Sequence, residues 1–343
     1  MHICQVVASW GNGGLEKHVI ELSNALSIEH QVTVIVHPLM KDRFVAAVNV
    51  ITVDFSQSRW SPRLYWQLLQ IINELKPDII HAQASKAALL VSRLRQWLPL
   101  TLKYVATLHN QKGTTSMFEG FDQVIAVSPG IAHLIKKAPV TAIYNGVIAP
   151  TPVDNGRQLL AQEFGFNAAK PILIAIGRLV DAKGFDILIP AVVRAGVQVL
   201  IVGEGERRTS LEAQIAETKA TVVLAGFRQD AQRLLAAADG FVLSSRNEGF
   251  AYVFVEALLA QRPVVVTAIP MVQEFVPEQL IVPVEDVEAL AERMQWAVSH
   301  LGEWQGIMRL AFERARQELT LDAMVHRTKK IYLDMFLSGT DEC

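Results

Sequence analysis

The sequence predicts an α/β protein of two tandem domains, each a doubly wound parallel sheet flanked by helices. Three observations carry this reading. Short β-branched runs alternate with longer helical patterns from end to end, the alternation restarts after a Pro- and Gly-containing break near residue 150, and the 343 residues are 51% hydrophobic with 19% charged. Strands covered on both faces by crossover helices read as near-continuous apolar runs. A chain of this length has room for two cores.

Taken in order, the first half predicts strands at 2–8 (HICQVVA), 31–36 (QVTVIV), 48–54 (VNVITVD), 78–83 (DIIHAQ), 103–109 (KYVATLH) and 123–128 (QVIAVS), with helices filling most gaps. After Asn145-Gly146 the segment 147–157 (VIAPTPVDNGR) reads as a linker. The second half predicts strands at 171–177, 197–203, 221–226, 240–245, 263–267 and 280–284. A helical pattern over 321–337 follows the last strand. The expected division is 1–150, 151–320 and a terminal helix within 321–343. Neither a short-period repeat nor a low-complexity run interrupts it.

Composition narrows the function classes. Two cysteines, Cys4 and Cys343, make neither a disulfide framework nor a zinc site, so a reducing, cytoplasmic compartment is expected. The start MHICQVVASWGNGG has no signal-peptide pattern, and no apolar run approaches the roughly 20 residues of a membrane span. The net charge of -2 divides unevenly. Residues 1–150 hold 13 Lys and Arg against 9 Asp and Glu, a net +4, leaving -6 for the rest. Basic and aromatic residues interleave over 58–69 (SRWSPRLYWQLL) and 92–104 (SRLRQWLPLTLKY), a pattern that fits an anionic membrane or lipid-linked acceptor and equally an ordinary amphipathic surface helix. The basic excess is small and dispersed, which argues against a nucleic-acid partner.

In open parallel sheets ligands bind beyond the carboxyl ends of strands. The predicted ends here are polar and glycine-rich. Within 241–266 (FVLSSRNEGFAYVFVEALLAQRPVVV), Glu248 falls in a loop and Glu256 on a helix among apolar residues. Buried there, the Glu256 carboxylate needs a hydrogen-bonding partner, either ligand hydroxyls or a protein group. After 171–177 come Gly177, Arg178 and Lys183, cations spaced to neutralise a diphosphate; a solvated pair of loop charges fits the same spacing. Gly203 follows the next strand and permits close approach, while Phe227 and Arg228 after the third are placed to flank a nucleobase. Gly249, Phe250, Ala251, Tyr252 and Val253 open a helix whose amides favour an anion.

These motifs, GRLVDAKG (177–184), VGEG (202–205), Glu248-x7-Glu256 and RPVVVT (262–267), resemble the retaining glycosyltransferases of family GT4, which have the GT-B fold. The first half resembles them too, in GGLEKHVIELSNAL (13–26), PDIIHAQAS (77–85), ATLHN (106–110), VIAVSPGI (124–131) and YNGV (144–147). The resemblance covers almost the whole chain, and its most specific element is the joint order of the motifs. It implies two Rossmann-like domains facing each other across a cleft, with the terminal helix crossing back to the first. Arg178 and Lys183 would then bind the donor diphosphate, Glu256 the ribose, and Glu248 the donor sugar, with the 249–253 amides touching sugar and phosphate. His109 would lie near the anomeric centre, with Gly13 and Gly14 facing the phosphates or the acceptor. His81 and Asn110 would stand on the acceptor side, although His81 fits a structural role as well. Arg246 and Asn247 would tune sugar preference. One departure is Gln261-Arg262 where the family has Gly before the Pro-Val-Val strand.

The implied activity is transfer of a hexose-type sugar, UDP-linked by default, with GDP-mannose and ADP-heptose next. The acceptor would be a saccharide or a lipid-linked glycan of surface polysaccharide biosynthesis, reached at the inner leaflet of the membrane. No Asp-x-Asp triplet occurs, so no metal or other cofactor is expected. Two other classes stay open. A Rossmann oxidoreductase is suggested by Gly11-Asn12-Gly13-Gly14, but the third fingerprint glycine is replaced by Glu16. A non-catalytic sugar-nucleotide-binding protein would bind without turnover.

Overall fold

Every strand pairing within the named strands is parallel, as continuous apolar runs separated by helices require. The computed structural model describes the chain except for Asn12, Gln111, Lys112, Gly249 and residues 338–343. It divides into two units, Met1–Gly146 with Leu321–Cys343, and Val147–Thr320.

Unit 1 holds β1 (His2–Val7), β2 (Gln31–Val36), β3 (Asn49–Thr52), β4 (Ile79–Gln83), β5 (Lys103–Leu108), β6 (Gln123–Ala126) and β7 (Val140–Ala142), in the order β3-β2-β1-β4-β5-β6-β7. The sequence reading anticipated the first six and missed β7, three residues whose side chains are only partly buried or exposed. Alternation along each strand builds two apolar layers. Cys4 and Val6 of β1 join Leu64, Leu68 and Ile72 in one, while Ile3 and Val7 join Val19, Leu22 and Leu26 in the other. Burial pushes the Cys4 thiol up to about 12, so it behaves as a small apolar side chain. Cys343 lies outside the described residues.

The helix Pro62–Leu75 shows how local chemistry sets the ends. Ser61 caps it by accepting from the Leu64 N–H, Pro62 occupies the first turn, and Lys76 closes it in the left-handed region at φ 43°. Its buried stripe, Leu64, Leu68 and Ile72, repeats every four residues. The last helix, Leu321–Leu337, belongs to unit 1 and buries Met324 and Tyr332 in the layer beside Val19 and Leu22.

Unit 2 holds β8 (Ile172–Ile176), β9 (Gln198–Val202), β10 (Val222–Leu224), β11 (Gly240–Leu243), β12 (Val264–Thr267) and β13 (Ile281–Val282), ordered β10-β9-β8-β11-β12-β13. Both sheets reverse strand order once, at β1/β4 and at β8/β11, and such switch points open the crevices where ligands bind. Pro190 lies inside the helix Phe185–Ala195 and has no N–H for the carbonyl of Asp186. Gln214 supplies the missing donor, its side-chain amide reaching that carbonyl at 2.9 Å. Among the described residues, no helix is long and apolar enough to cross a membrane.

Candidate functional site

The carboxyl ends of β8, β9 and β10 are laced together by their own backbones. Gly177 N–H donates to Val202 (3.0 Å), Leu179 N–H to Glu204 (2.9 Å) and Gly203 N–H to Gly226 (2.9 Å). Gly203 has φ +148°, and a Cβ there would stand 1.9 Å from the Gly177 carbonyl oxygen. The reading of Gly203 as a point of close ligand approach is therefore corrected: what approaches it is the neighbouring loop, and this clash excludes any side chain.

Over this platform Lys183 donates to Glu248, an ion pair between side chains 20% and 12% exposed. Glu248 also accepts from Ser245 Oγ at 2.8 Å. The Lys183 stem passes over Gly177, where a Cβ would meet Lys183 Cε at 2.9 Å. Glu256, on the helix Tyr252–Leu259, is buried and accepts from Gln232 Nε2 at 2.9 Å, so a neutral amide supplies part of the pairing its carboxylate requires. Arg178 is exposed. Among the described residues no side chain caps the start of the Tyr252–Leu259 helix, where Ala251 is buried, Val253 is partly buried, and Phe250 meets Tyr252 edge-on at 4.7 Å. Gly249 lies outside the described residues.

Two arginines have other employment. Arg228 is bound by Asp230 at 2.7 Å and Glu163 at 2.6 Å, which favour its charged form, while Phe227 beside it is exposed. The guanidinium expected to flank a nucleobase is thus engaged by two carboxylates of its own chain. Arg246 makes two bonds of 2.8 Å to Asp186, pairs with Glu285, and donates to the Asp181 carbonyl at 2.5 Å. The Asp186 carboxyl is held below its usual range chiefly by that guanidinium, so Arg246 ties loops together and does not serve as a free sugar selector. Asn247 is exposed.

In unit 1 a cavity of about 590 Å³ is lined by His109 and Asn110, with Arg59, Ser85 and Lys86 among its other walls. His109 Nε2 is 2.9 Å from Gln83 Oε1, and His18 packs edge-on at 4.8 Å. Burial first, then the neighbouring His18 and His81, keep the His109 pKa well below the ordinary imidazole value. Lys86 donates to the carbonyls of Phe55 (2.5 Å) and Gln57 (3.2 Å), and burial followed by nearby Arg59 depresses its pKa.

His81 departs from its acceptor-side assignment. It is fully buried, with Nδ1 2.6 Å from Tyr332 Oη and Nε2 2.6 Å from Thr107 Oγ1, so both nitrogens are occupied by the protein. The loop after β1 is likewise held by its own chain. Glu16 accepts from Gly11 N–H (3.1 Å), Gly13 N–H (3.0 Å) and Ser9 Oγ. Burial raises its pKa, but the hydrogen bonds outweigh that and hold the carboxyl below its usual range. Gly13 thus gives its amide to Glu16, and Gly14 begins the following helix. The residue that breaks the dinucleotide fingerprint is the one that organises this loop.

Sequence reasoning missed Gln5, Gln83, Thr107 and Gln232. The first three are amides and a hydroxyl in otherwise apolar strands, a detectable signal. Gln232 carried none, because it meets Glu256 only through folding.

A family model described as Glycosyltransferase Family 4 matches residues 12–149, and one described as Glycosyl transferases group 1 matches residues 170–300. The lipopolysaccharide core biosynthesis glycosyltransferase LpsE of Rhizobium meliloti (strain 1021) is 28% identical over 236 residues, 65% of this chain and 66% of that protein. LpsD of the same organism is 24% identical, covering 59% of this chain and 58% of its own. The chain thus spans less than two thirds of the length of these curated relatives. In fold, it is similar to HepE of Anabaena in complex with UDP (TM-score 0.82, 22% identity, 97% of this chain and 100% of that chain). A glycosyltransferase from Rickettsia africae ESF-5 is comparable (TM-score 0.83, 19% identity, 98% of each chain).

Proposed function

Because the chain belongs to the glycosyltransferases of group 1 and family 4, we propose that it moves a hexose-type sugar from a nucleoside diphosphate sugar, UDP-linked by preference, to a saccharide or lipid-linked glycan acceptor with retention of configuration. The observation that carries this is the juxtaposition of Lys183 with Glu248, with Glu256 following on the next helix, in loops ending two neighbouring strands of one sheet. As the bond to the nucleoside diphosphate breaks, negative charge grows on the β-phosphate, and Lys183, Arg178 and the uncapped helix start at Ala251 are the groups to receive it. Glu248 stores the Lys183 charge until a donor arrives and then orients the sugar, while Glu256 takes the ribose hydroxyls. Unit 1 supplies His109 near the anomeric centre, with Asn110 and the basic cavity wall on the acceptor side.

Relatives named for lipopolysaccharide core biosynthesis support a surface-glycan acceptor, and a structural neighbour holding UDP supports the choice of base. The reading includes turnover without a metal ion or other cofactor, checked by assay after chelation. It also includes docking of unit 1 on anionic lipid through exposed Trp60, Trp66 and Trp97, which vesicle co-sedimentation tests. The main experiment is a panel of sugar nucleotides screened by thermal shift, since a donor stabilises the folded chain by mass action. UDP-hexoses are expected to raise Tm most and then to be consumed with acceptor. A panel in which no sugar nucleotide shifts Tm would sink the proposal.

A further inference from the structure

We propose that Gln83 is a positioning residue that fixes His109 as its neutral Nε2–H tautomer, leaving the Nδ1 lone pair to accept a hydrogen bond from a substrate hydroxyl. This rests on the reading of His109 as a group of the reaction. The argument starts from the amide of Gln83, which is 1% exposed at the carboxyl end of β4. Its NH₂ donates to Gln5 Oε1 at 2.8 Å, which turns its carbonyl oxygen toward His109 Nε2, 2.9 Å away. An amide oxygen only accepts, so His109 must hold its proton on Nε2.

The register of the sheet makes the arrangement rigid. Gln83 pairs with Val7 of β1 and Thr107 of β5, while Gln5 pairs with His81, so the polar side chains emerge from three adjacent strands. His81 is clamped between Thr107 and Tyr332, and its Nε2 lies 3.4 Å from the Gln83 amide nitrogen. Tyr332 comes from the helix Leu321–Leu337, so the end of the chain closes the network that holds His109. The charged and titratable groups around His109 are His18 edge-on, His81 behind, and Arg59 and Lys86 along the shared cavity. Among the described residues none of these is a carboxylate, and His18 and His81 disfavour an imidazolium. His109 is therefore a hydrogen-bond acceptor toward substrate, not a cationic donor to phosphate.

Histidine ring ¹⁵N shifts of the full-length chain, with His109 assigned by its loss in His109→Gln, read the tautomer without any need for turnover. The expected pattern between pH 6 and 8 is neutral Nε2–H. An Nδ1–H or imidazolium pattern overturns the proposal. Gln83→Leu should release the ring to a tautomer mixture and lower kcat by roughly tenfold or more while UDP affinity is kept. Gln83→Glu replaces the amide oxygen with a carboxylate and should move the His109 titration upward in the same spectra; no movement in either variant overturns the proposal. If the wild-type chain shows the expected tautomer but binds no UDP, the transferase reading fails while the positioning stands.

Discussion

Lys183 and Glu248 are paired across 65 residues of sequence, a cation from the end of β8 meeting a carboxylate from the end of β11. A pair this sparsely exposed keeps its charges where solvent screening is weak, and each side chain is held in place by the other.

If Lys183 and Arg178 meet charge developing on the leaving diphosphate as proposed, replacing either with Ala should lower kcat by roughly 100-fold or more. Melting temperatures should stay close to that of the unsubstituted chain, since neither side chain is fully buried. Near-normal rates in both variants would remove the diphosphate clamp from the mechanism.

Gly177→Ala tests the path of the lysine. A Cβ at 177 would stand 2.9 Å from Lys183 Cε, so the flexible stem must shift from the path on which it meets Glu248. Turnover should fall by about tenfold with little change in stability, and the effect should vanish in a Lys183→Ala background. Additive losses in the double variant would contradict this coupling.

Glu256→Ala should weaken UDP binding by about tenfold or more, the cost of losing hydrogen bonds to a charged group. Gln232→Ala should weaken it less, because Gln232 only steadies the carboxylate from one side. Calorimetry with free UDP measures both. Unchanged affinity in Glu256→Ala would show that the ribose is held elsewhere.

Acid should loosen unit 1. Burial depresses His81 to about 3 and His18 to about 4, and His109 lies well below its ordinary value too. The unfolded chain takes up these protons near pH 6.5, the folded one only far lower, so their contribution is complete above about 6.5 and is lost as pH falls toward 4. Glu16, held below its usual value, loses its contribution in the same direction at lower pH. The summed loss is on the order of a few kcal/mol. Denaturant midpoints compared at pH 7 and pH 5 check it; a unit 1 transition that does not shift contradicts the assignment of neutral buried imidazoles.

The two parallel sheets and the order of the site loops were legible because their signals are local. A strand announces itself by five or six apolar residues, and a loop such as GRLVDAKG by its own glycines and cations. β7 escaped because three partly buried residues make no pattern. Glu16 was noticed only as the residue that spoils a fingerprint, since sequence shows the missing glycine but not the three donors its carboxylate gathers.

The alternation of β-branched and helical segments determined, without any coordinates, the fold class, the strand ends and the residue types available there, because hydrophobic periodicity and turn chemistry act over a few residues. Tertiary structure alone decided which polar groups remain open to a ligand. Arg228 is taken by Glu163 from 65 residues away, and His81 by Tyr332 from 251 away. A hydrogen bond depends on distances of about 3 Å in space, and separation along the chain carries no record of them.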